Sequence, residues 1–116
     1  MMETSKTNYT LCPKFEKAFS ILGKKWNGLI IDVLLQDGEQ RFVDLAKKIP
    51  MLSDRVLTER LRELERECIV DKADSLYQLT EKGVALANAL ESVKHWSHDW
   101  VTEEELDENL PASLKK

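Results

Sequence analysis

The chain has 116 residues, of which 42% are apolar and 33% charged, and its formal net charge is −4 at pH 7. This length and apolar content suit one domain with a single core. Two cysteines are too few for a secreted disulfide scaffold, and the longest nearly apolar run, residues 29–35, contains Asp32 and is too short to span a bilayer. Because no apolar signal segment follows Met1, we expect a cytoplasmic protein without a membrane role.

The first half of the chain predicts three helices in succession. Pro13 opens a helix that ends near residue 23, since proline is favoured just inside a helix start. Residues 25–36 form a second helix that is apolar nearly all round, which is typical of a central, buried element. A third, short helix covers residues 41–49 and is stopped by Pro50.

The second half predicts one more helix, a hairpin and a closing helix. Ser53 is a good N-cap for a helix that continues to about residue 67, with an apolar row of leucines beneath a basic outer face. The periodicity then changes to two short strands, residues 69–73 and 76–79, joined by a very tight turn. Thr80 caps the last helix, which carries a long apolar stripe.

The predicted order is that of a winged helix-turn-helix, a mainly α fold with a small β-hairpin. We divide the chain into a flexible N-terminal arm at residues 1–10, one domain at 11–102 that ends in a dimerisation helix, and an acidic tail at 103–116. Residues 1–66 hold 12 basic and 10 acidic side chains, whereas residues 67–116 hold 5 basic and 11 acidic. Since binding to phosphates depends on the local patch, the negative total does not exclude a DNA partner.

The chain also resembles a known family, the HxlR-type transcriptional regulators, which are relatives of the MarR-type repressors. The resemblance covers roughly residues 11–96 and is carried by Cys12-Pro13 and by four segments in order: LGKKW at 22–26, RFVDL at 41–45, SDRVLTERLRELE at 53–65 and YQLTEKG at 77–83. It implies a dimeric DNA-binding regulator that acts at operators near its target genes. Two features depart from the family: Cys68 stands where glycine is usual, and the hairpin turn is several residues shorter.

The helix over residues 54–67 predicts the contacts with bases. Its outward side chains near the N-terminal half suit the major groove: arginine pairs with guanine, glutamate accepts from cytosine and threonine touches the thymine methyl. The candidates are Ser53, for a phosphate, and Arg55, Thr58, Glu59 and Arg62. The alternative is that the charges of this helix form ion pairs on a solvated face.

Other basic side chains predict contacts with phosphates, which orient a protein on DNA without reading its sequence. The candidates are Lys24, Lys25, Arg41, Lys47 and Lys48, together with Lys72 on the hairpin. For each of them the alternative is an ordinary solubilising side chain.

Cys12 predicts a redox or electrophile sensor. It lies at a helix N-terminus, where free amides and the helix dipole favour a thiolate, and Lys14 and Lys17 add positive potential. The resemblance implies the same role, because family members sense with a cysteine at the equivalent place. The alternative is a half-buried, inert thiol. For Cys68 we expect a small buried filler rather than a resolving thiol, although a disulfide with Cys12 of the other subunit stays open.

The terminal helices predict a homodimer, because their apolar stripes are longer than one small domain can bury. The expected interface residues are Phe15, Phe19, Leu86, Leu90, Val93, Trp96 and Trp100. A two-fold dimer would place two recognition helices about one DNA turn apart, on a pseudo-palindromic operator.

Three further interpretations complete the set. One is a ligand-responsive regulator of the same fold without redox sensing, and another is a protein-interaction winged helix that does not bind DNA. An enzyme has no candidate chemistry here. We expect no cofactor and no metal, because His95 and His98 have no third fixed ligand and suit interface packing better.

Overall fold

The computed structural model describes residues 8–106, so most of the predicted N-terminal arm and the tail beyond residue 106 lie outside the described residues. Within residues 8–106, five α-helices and one hairpin follow one another in the predicted order. They are α1 (Pro13–Leu22), α2 (Asn27–Asp37), α3 (Phe42–Lys48), α4 (Asp54–Arg66), β1 (Val70–Ala73), β2 (Leu76–Leu79) and α5 (Glu81–Trp100), followed by a 3₁₀ turn at Glu103–Glu105. The predicted fold class, mainly α with a small hairpin, is confirmed.

Local capping fixes two of the helix starts. The Ser53 hydroxyl accepts a hydrogen bond from the Val56 amide at 3.2 Å, and the Thr80 hydroxyl accepts one from the Gly83 amide at 3.0 Å. Each cap satisfies one of the amides that a first helical turn leaves without a partner. Both caps were predicted from the sequence, and α4 and α5 begin at the residues that follow them.

The hairpin is antiparallel, with Val70 opposite Leu79 and Ala73 opposite Leu76. Asp74 and Ser75 form its two-residue turn, and both have positive φ, as a type I′ turn requires. Gln40, just before α3, adds a third short pairing: its amide donates to the Tyr77 carbonyl at 3.0 Å and its carbonyl accepts from the Tyr77 amide at 2.7 Å. This bridge ties the helix-turn-helix to the hairpin, and the sequence interpretation missed it.

The core is built by α2 and α4, with contributions from every other main element. Ile30 and Ile31 of α2 are fully buried, and so is the α4 row of Leu57, Leu61 and Leu64. The view of α2 as buried nearly all round is wrong at one position, because 45% of the Leu29 surface is exposed. The helix also begins two residues later than predicted, since Trp26 has a left-handed backbone (φ 84°) that no α-helix contains.

The predicted apolar stripe of α5 divides into two parts. Near the helix start, Leu86 and Leu90 are partly buried and pack against the core of their own chain. In the second half, Val93, Trp96 and Trp100 are more than half exposed. None of the described helices is long and apolar enough to cross a membrane.

Candidate nucleic-acid interface

The helix-turn-helix consists of α3, a corner at residues 49–53 and α4. Because the leucine row of α4 packs into the core, the opposite face of the helix points outward. Arg55, Glu59 and Arg62 lie on this face and are exposed. The Arg55 guanidinium bonds to the Glu59 carboxylate at 3.1 Å, while Arg62 forms no ion pair with any residue that the structure describes. This face therefore presents a paired arginine, Arg55, in the first turn of α4 and an unpaired one, Arg62, in the second half of the helix.

Thr58 and Ser53 use their hydroxyls within the chain. The Thr58 hydroxyl donates to the Asp54 carbonyl at 2.8 Å, which leaves its methyl group as the part available to a partner. Ser53 caps α4, as described above, and stays exposed beside the helix N-terminus. A phosphate at this end would meet free amides and the positive end of the helix dipole.

The alternative of a solvated, ion-paired face holds for only part of α4. Glu63 turns inward to Arg60 at 3.5 Å and to Lys24, from the segment between α1 and α2, at 3.1 Å. It does not pair with Arg62 or Arg66 among the described contacts. The carboxylates of this helix therefore leave the outward arginine at position 62 uncompensated.

Of the basic side chains predicted to contact phosphates, some are held in ion pairs within the chain and others are not. Lys48 bonds to the Asp37 carboxylate at 2.9 Å and to the Gln40 side-chain oxygen at 2.8 Å, and Lys24 is bound to Glu63. By contrast, Arg41 and Lys47 are exposed and form no ion pair within the described part of the chain. Two ammonium groups lie over aromatic rings, that of Lys25 at 4.8 Å from the Trp26 centroid and that of Lys72 at 5.3 Å from that of Tyr77.

The hairpin offers little positive charge. Its turn has only two residues, Asp74 and Ser75, and the exposed acid Asp71 faces solvent on the same hairpin. Lys72 is its single cation. This composition favours phosphate contacts from the helices over contacts from the hairpin.

Cys12 is the N-cap of α1, is exposed, and makes no side-chain cap hydrogen bond. It precedes Phe15 by three residues and so begins the same helix face as Phe15 and Phe19, whose rings meet edge to face at 4.8 Å. Lys17, which was expected to add positive potential at Cys12, forms an ion pair instead. Its ammonium bonds at 2.9 Å to the carboxylate of Glu67, the residue just after α4. This hydrogen bond holds the pKa of Glu67 below its usual value, with Lys82 and Arg66 adding to the effect and burial opposing it.

The prediction that Cys68 is buried is wrong, because its side chain is exposed. The reason is the way α4 ends. The Cys68 amide donates to the Glu65 carbonyl at 3.0 Å and the Ile69 amide to the Leu64 carbonyl at 2.9 Å, which is a Schellman motif. Its central residue needs a left-handed backbone, and Cys68 has φ 62°, so the side chain is turned out to solvent. Glycine is the usual residue at this position.

The two histidines of α5 gain no third ligand from the described part of the chain. There, no group of three or more histidine, cysteine, aspartate or glutamate side chains is arranged to hold a metal ion. His95 and His98 line a shallow, open hollow with Glu91, Lys94 and Asp99.

An exposed basic face on the second helix of a helix-turn-helix, followed by a two-stranded hairpin, defines a winged helix-turn-helix DNA-binding protein. The family model of the HxlR-like helix-turn-helix matches residues 21–105. The chain belongs to this family, and it is a helix-turn-helix transcriptional regulator of the HxlR type.

The relatives agree with this assignment. The chain is 46% identical over 109 residues to the HTH-type transcriptional regulator YodB of Bacillus subtilis (strain 168), covering 83% of this chain and 96% of YodB. It is 45% identical over 105 residues to the uncharacterized HTH-type transcriptional regulator YvaP of the same organism, covering 84% of this chain and 95% of YvaP.

Solved structures show the same fold. The quinone-bound form of YodB from B. subtilis superposes with a TM-score of 0.72 at 49% identity, over 77% of this chain and 100% of that one. The redox regulator HypR in its reduced form gives a TM-score of 0.67 at 30% identity, over 74% of this chain and 91% of that one. The resemblance inferred from the sequence motifs is confirmed.

Proposed function

We propose that this regulator binds a pseudo-palindromic operator as a homodimer in the cytoplasm, and that modification of Cys12 by quinones or oxidants releases it from DNA. The role is regulatory rather than catalytic, and the simplest form of it is a repressor that also acts on its own promoter. The observation that carries the DNA part is the outward face of α4, with Arg62 unpaired and Arg55 held by Glu59.

The two arginines suit different tasks. Arg62 is free to donate two hydrogen bonds to the O6 and N7 atoms of a guanine. Arg55 is oriented by Glu59, whose carboxylate accepts from it at 3.1 Å and whose other oxygen is open to a cytosine amino group. Phosphates on either side would be met by Ser53, Arg41 and Lys47, because the structure leaves these groups exposed.

The dimer is supported by the apolar surface that the single chain leaves uncovered. Phe15 and Phe19 on α1, and Val93, Trp96 and Trp100 on α5, are all more than half exposed. An exposed aromatic surface of this extent on a small soluble domain marks a protein interface. A two-fold axis through these helices would repeat α4 at a spacing of about 34–36 Å, which is one turn of DNA.

Cys12 is supported as the sensor by its exposure and by the chemistry of similar proteins. The thiolate can add to a quinone ring: a sulfur–carbon bond forms, the ring takes up one proton and becomes a hydroquinone, and no further oxidant is needed. A quinone-bound form and a diamide-treated form of YodB are known, which supports the same class of reagents for this chain. The adduct would lie at the end of the Phe15 and Phe19 face, inside or beside the proposed dimer interface.

Two ion pairs offer a physical link between α1 and the recognition helix. Lys17 of α1 bonds to Glu67 after the last turn of α4, and Lys24 bonds to Glu63 one turn earlier. A movement of α1 caused by an adduct at Cys12 would therefore act on the C-terminal half of α4. We expect small displacements there to change the spacing of the two recognition helices.

Footprinting of the intergenic DNA upstream of the gene tests the proposal. We expect protection of a two-fold symmetric site by the reduced protein, loss of protection with 1,4-benzoquinone, and persistence of protection by Cys12→Ser under the same treatment. Arg62→Ala is expected to lower specific affinity by about 1–3 kcal/mol while changing nonspecific binding little. Failure of the reduced protein to protect any promoter at low salt would contradict DNA binding and favour a protein partner instead.

A further inference from the structure

A basic hollow of about 290 Å³ lies where α1, the end of α4 and the start of α5 meet. Glu67 is the one acid among the described residues that line it, and its carboxylate already binds Lys17. Lys82 donates at 2.7 Å to the backbone carbonyl of Glu67, which carries no net charge, and Lys14 forms no ion pair with a described residue. The lining therefore holds no carboxylate for Lys14 and Lys82. The floor of the basic hollow is apolar and consists of Ala18, Ile21, Ile69 and Leu86.

The basic hollow lies at one end of a seam that runs along α5. The residues of this α5 seam follow one another at alternating intervals of four and three, which places them on one helix face, as in helices that pair with a partner helix. They are Lys82, Leu86, Ala89, Val93, Trp96 and Trp100. The first two line the basic hollow, and the last three are the exposed residues of the proposed dimer surface. The dimer surface of α5 therefore continues into the basic hollow.

The negative charge that the basic hollow lacks is concentrated just after α5. Residues 103–108 have the sequence EEELDE, which is five acids around one leucine. Glu103 and Glu104 are exposed, and neither forms an ion pair with a described residue. An acidic segment with an apolar residue inside it is complementary to a basic rim above an apolar floor. In its own chain the length of α5 separates this segment from the basic hollow, because Lys82 and Trp100 are 18 residues apart, about 27 Å.

We propose that residues 103–108 of one subunit dock in the basic hollow of the other. The acids then meet Lys14 and Lys82, and Leu106 lies over the apolar floor. This inference rests on the homodimer proposed above and adds that the two α5 helices cross antiparallel at Trp96.

The chain is long enough for this contact. An antiparallel crossing at Trp96 places Trp100 of the partner subunit beside residue 92, about 9–15 Å along the α5 seam from Leu86 and Lys82. The eight residues from 101 to 108 span up to about 26 Å when extended. The acids of the partner subunit can therefore reach the basic hollow.

Docking would brace the recognition helix from the other subunit. The basic hollow is lined by Glu67 and Ile69, which come directly after α4, and by side chains of α1. A segment held there fixes α1 and the end of α4 relative to the partner, and so it fixes the distance between the two recognition helices.

Carbodiimide cross-linking of the reduced, full-length homodimer tests this contact, because the reagent joins a carboxylate to an ammonium group that touches it. Dimers formed from equal amounts of light and ¹⁵N-labelled chain show which subunit supplies each group. We expect peptides that join Lys14 or Lys82 to residues 103–108, with one heavy and one light member in about half of them. The pair between Lys17 and Glu67 is the internal control, and its peptides should carry a single label.

Two cross-linking results would overturn the inference. If the peptides from Lys14 and Lys82 carry a single label, the acidic segment lies on its own subunit. If these peptides are absent while Lys17 is joined to Glu67, the acidic segment does not occupy the basic hollow.

Charge reversal measures what the contact contributes to dimerisation. Glu104→Lys/Glu108→Lys and Lys14→Glu/Lys82→Glu are each expected to raise the Kd of the dimer about tenfold at low salt, and the variant with all four changes should return to within about threefold of wild type. The control Glu39→Lys/Asp71→Lys reverses two exposed acids elsewhere and should leave the Kd unchanged.

If the four changes together weaken the dimer as much as the two pairs added, the two sets of charges do not meet and the inference is wrong. A wild-type chain that is monomeric in sedimentation equilibrium would contradict the homodimer itself, and this inference with it. A stable dimer that gives no mixed peptides would contradict this inference alone.

Discussion

Replacing Cys68 by glycine is expected to stabilise the protein. Cys68 occupies the left-handed position of the Schellman motif at φ 62°, where a residue with a Cβ is destabilised by about 1–2 kcal/mol relative to glycine. Glycine also gains entropy in the unfolded chain, which opposes this by about 0.4–1 kcal/mol. Since the thiol is exposed, no packing is lost. The net stabilisation is about 0.5–1 kcal/mol, which raises Tm by roughly 2–6 °C for a domain of this size.

The measurement is thermal unfolding of reduced wild type, Cys68→Gly and Cys68→Ala at one protein concentration. Alanine keeps the Cβ and removes only the thiol, so Cys68→Ala should stay within about 0.5 kcal/mol of wild type. If Cys68→Gly is no more stable than Cys68→Ala, the argument from backbone conformation is refuted. We expect both variants to keep wild-type operator affinity and release by quinone, because the sensing is assigned to Cys12.

Three further predictions test charges and the interface. Lys47→Ala should lower the slope of log affinity for the operator against log salt concentration by about 0.9, the value for one lost phosphate contact. Lys48→Ala should leave this slope nearly unchanged, because Lys48 is already bound to a carboxylate within the chain. Equal slopes for the two variants would contradict this difference. Glu67→Gln should lower Tm at pH 7. Because the pKa of Glu67 in the folded protein lies below its ordinary value of 4.5, the difference in Tm from wild type should vanish as the pH falls through that lowered pKa. A difference in Tm that persists at lower pH would show that the bond to Lys17 is not its cause. Trp96→Glu should convert the dimer to a monomer in light scattering and weaken operator binding, and an intact dimer would remove Trp96 from the interface.

The fold was predictable because the capping residues and the spacing of the apolar residues indicate the same helices. Ser53 and Thr80 mark two helix starts, and the leucine row of α4 has helical spacing, so element order followed from short stretches of sequence. The family motifs then fixed the fold class and the type of regulator. These features depend on neighbouring residues, which a sequence shows directly.

The features that escaped prediction depend on distant residues or on backbone conformation. The pair between Lys17 and Glu67 joins residues 50 positions apart, and nothing in the local sequence indicates it. The bridge between Gln40 and Tyr77 was missed for the same reason. Cys68 was expected to be buried because cysteine usually is, but the left-handed end of α4 turns its side chain outward. The absence of the usual glycine at this position was the available signal.

In the regulation that we propose, modification of Cys12 controls DNA binding. The most direct measurement follows reduced protein on fluorescent operator DNA during titration with 1,4-benzoquinone, with anisotropy reporting bound DNA and mass spectrometry of proteolytic peptides reporting the adduct on each cysteine. We expect release to rise in proportion to occupancy at Cys12, Cys68→Ala to behave like wild type, and Cys12→Ser to stay bound even when Cys68 is modified. Release of Cys12→Ser at the same quinone concentration, or full modification of Cys12 with the operator still bound, would contradict the claim.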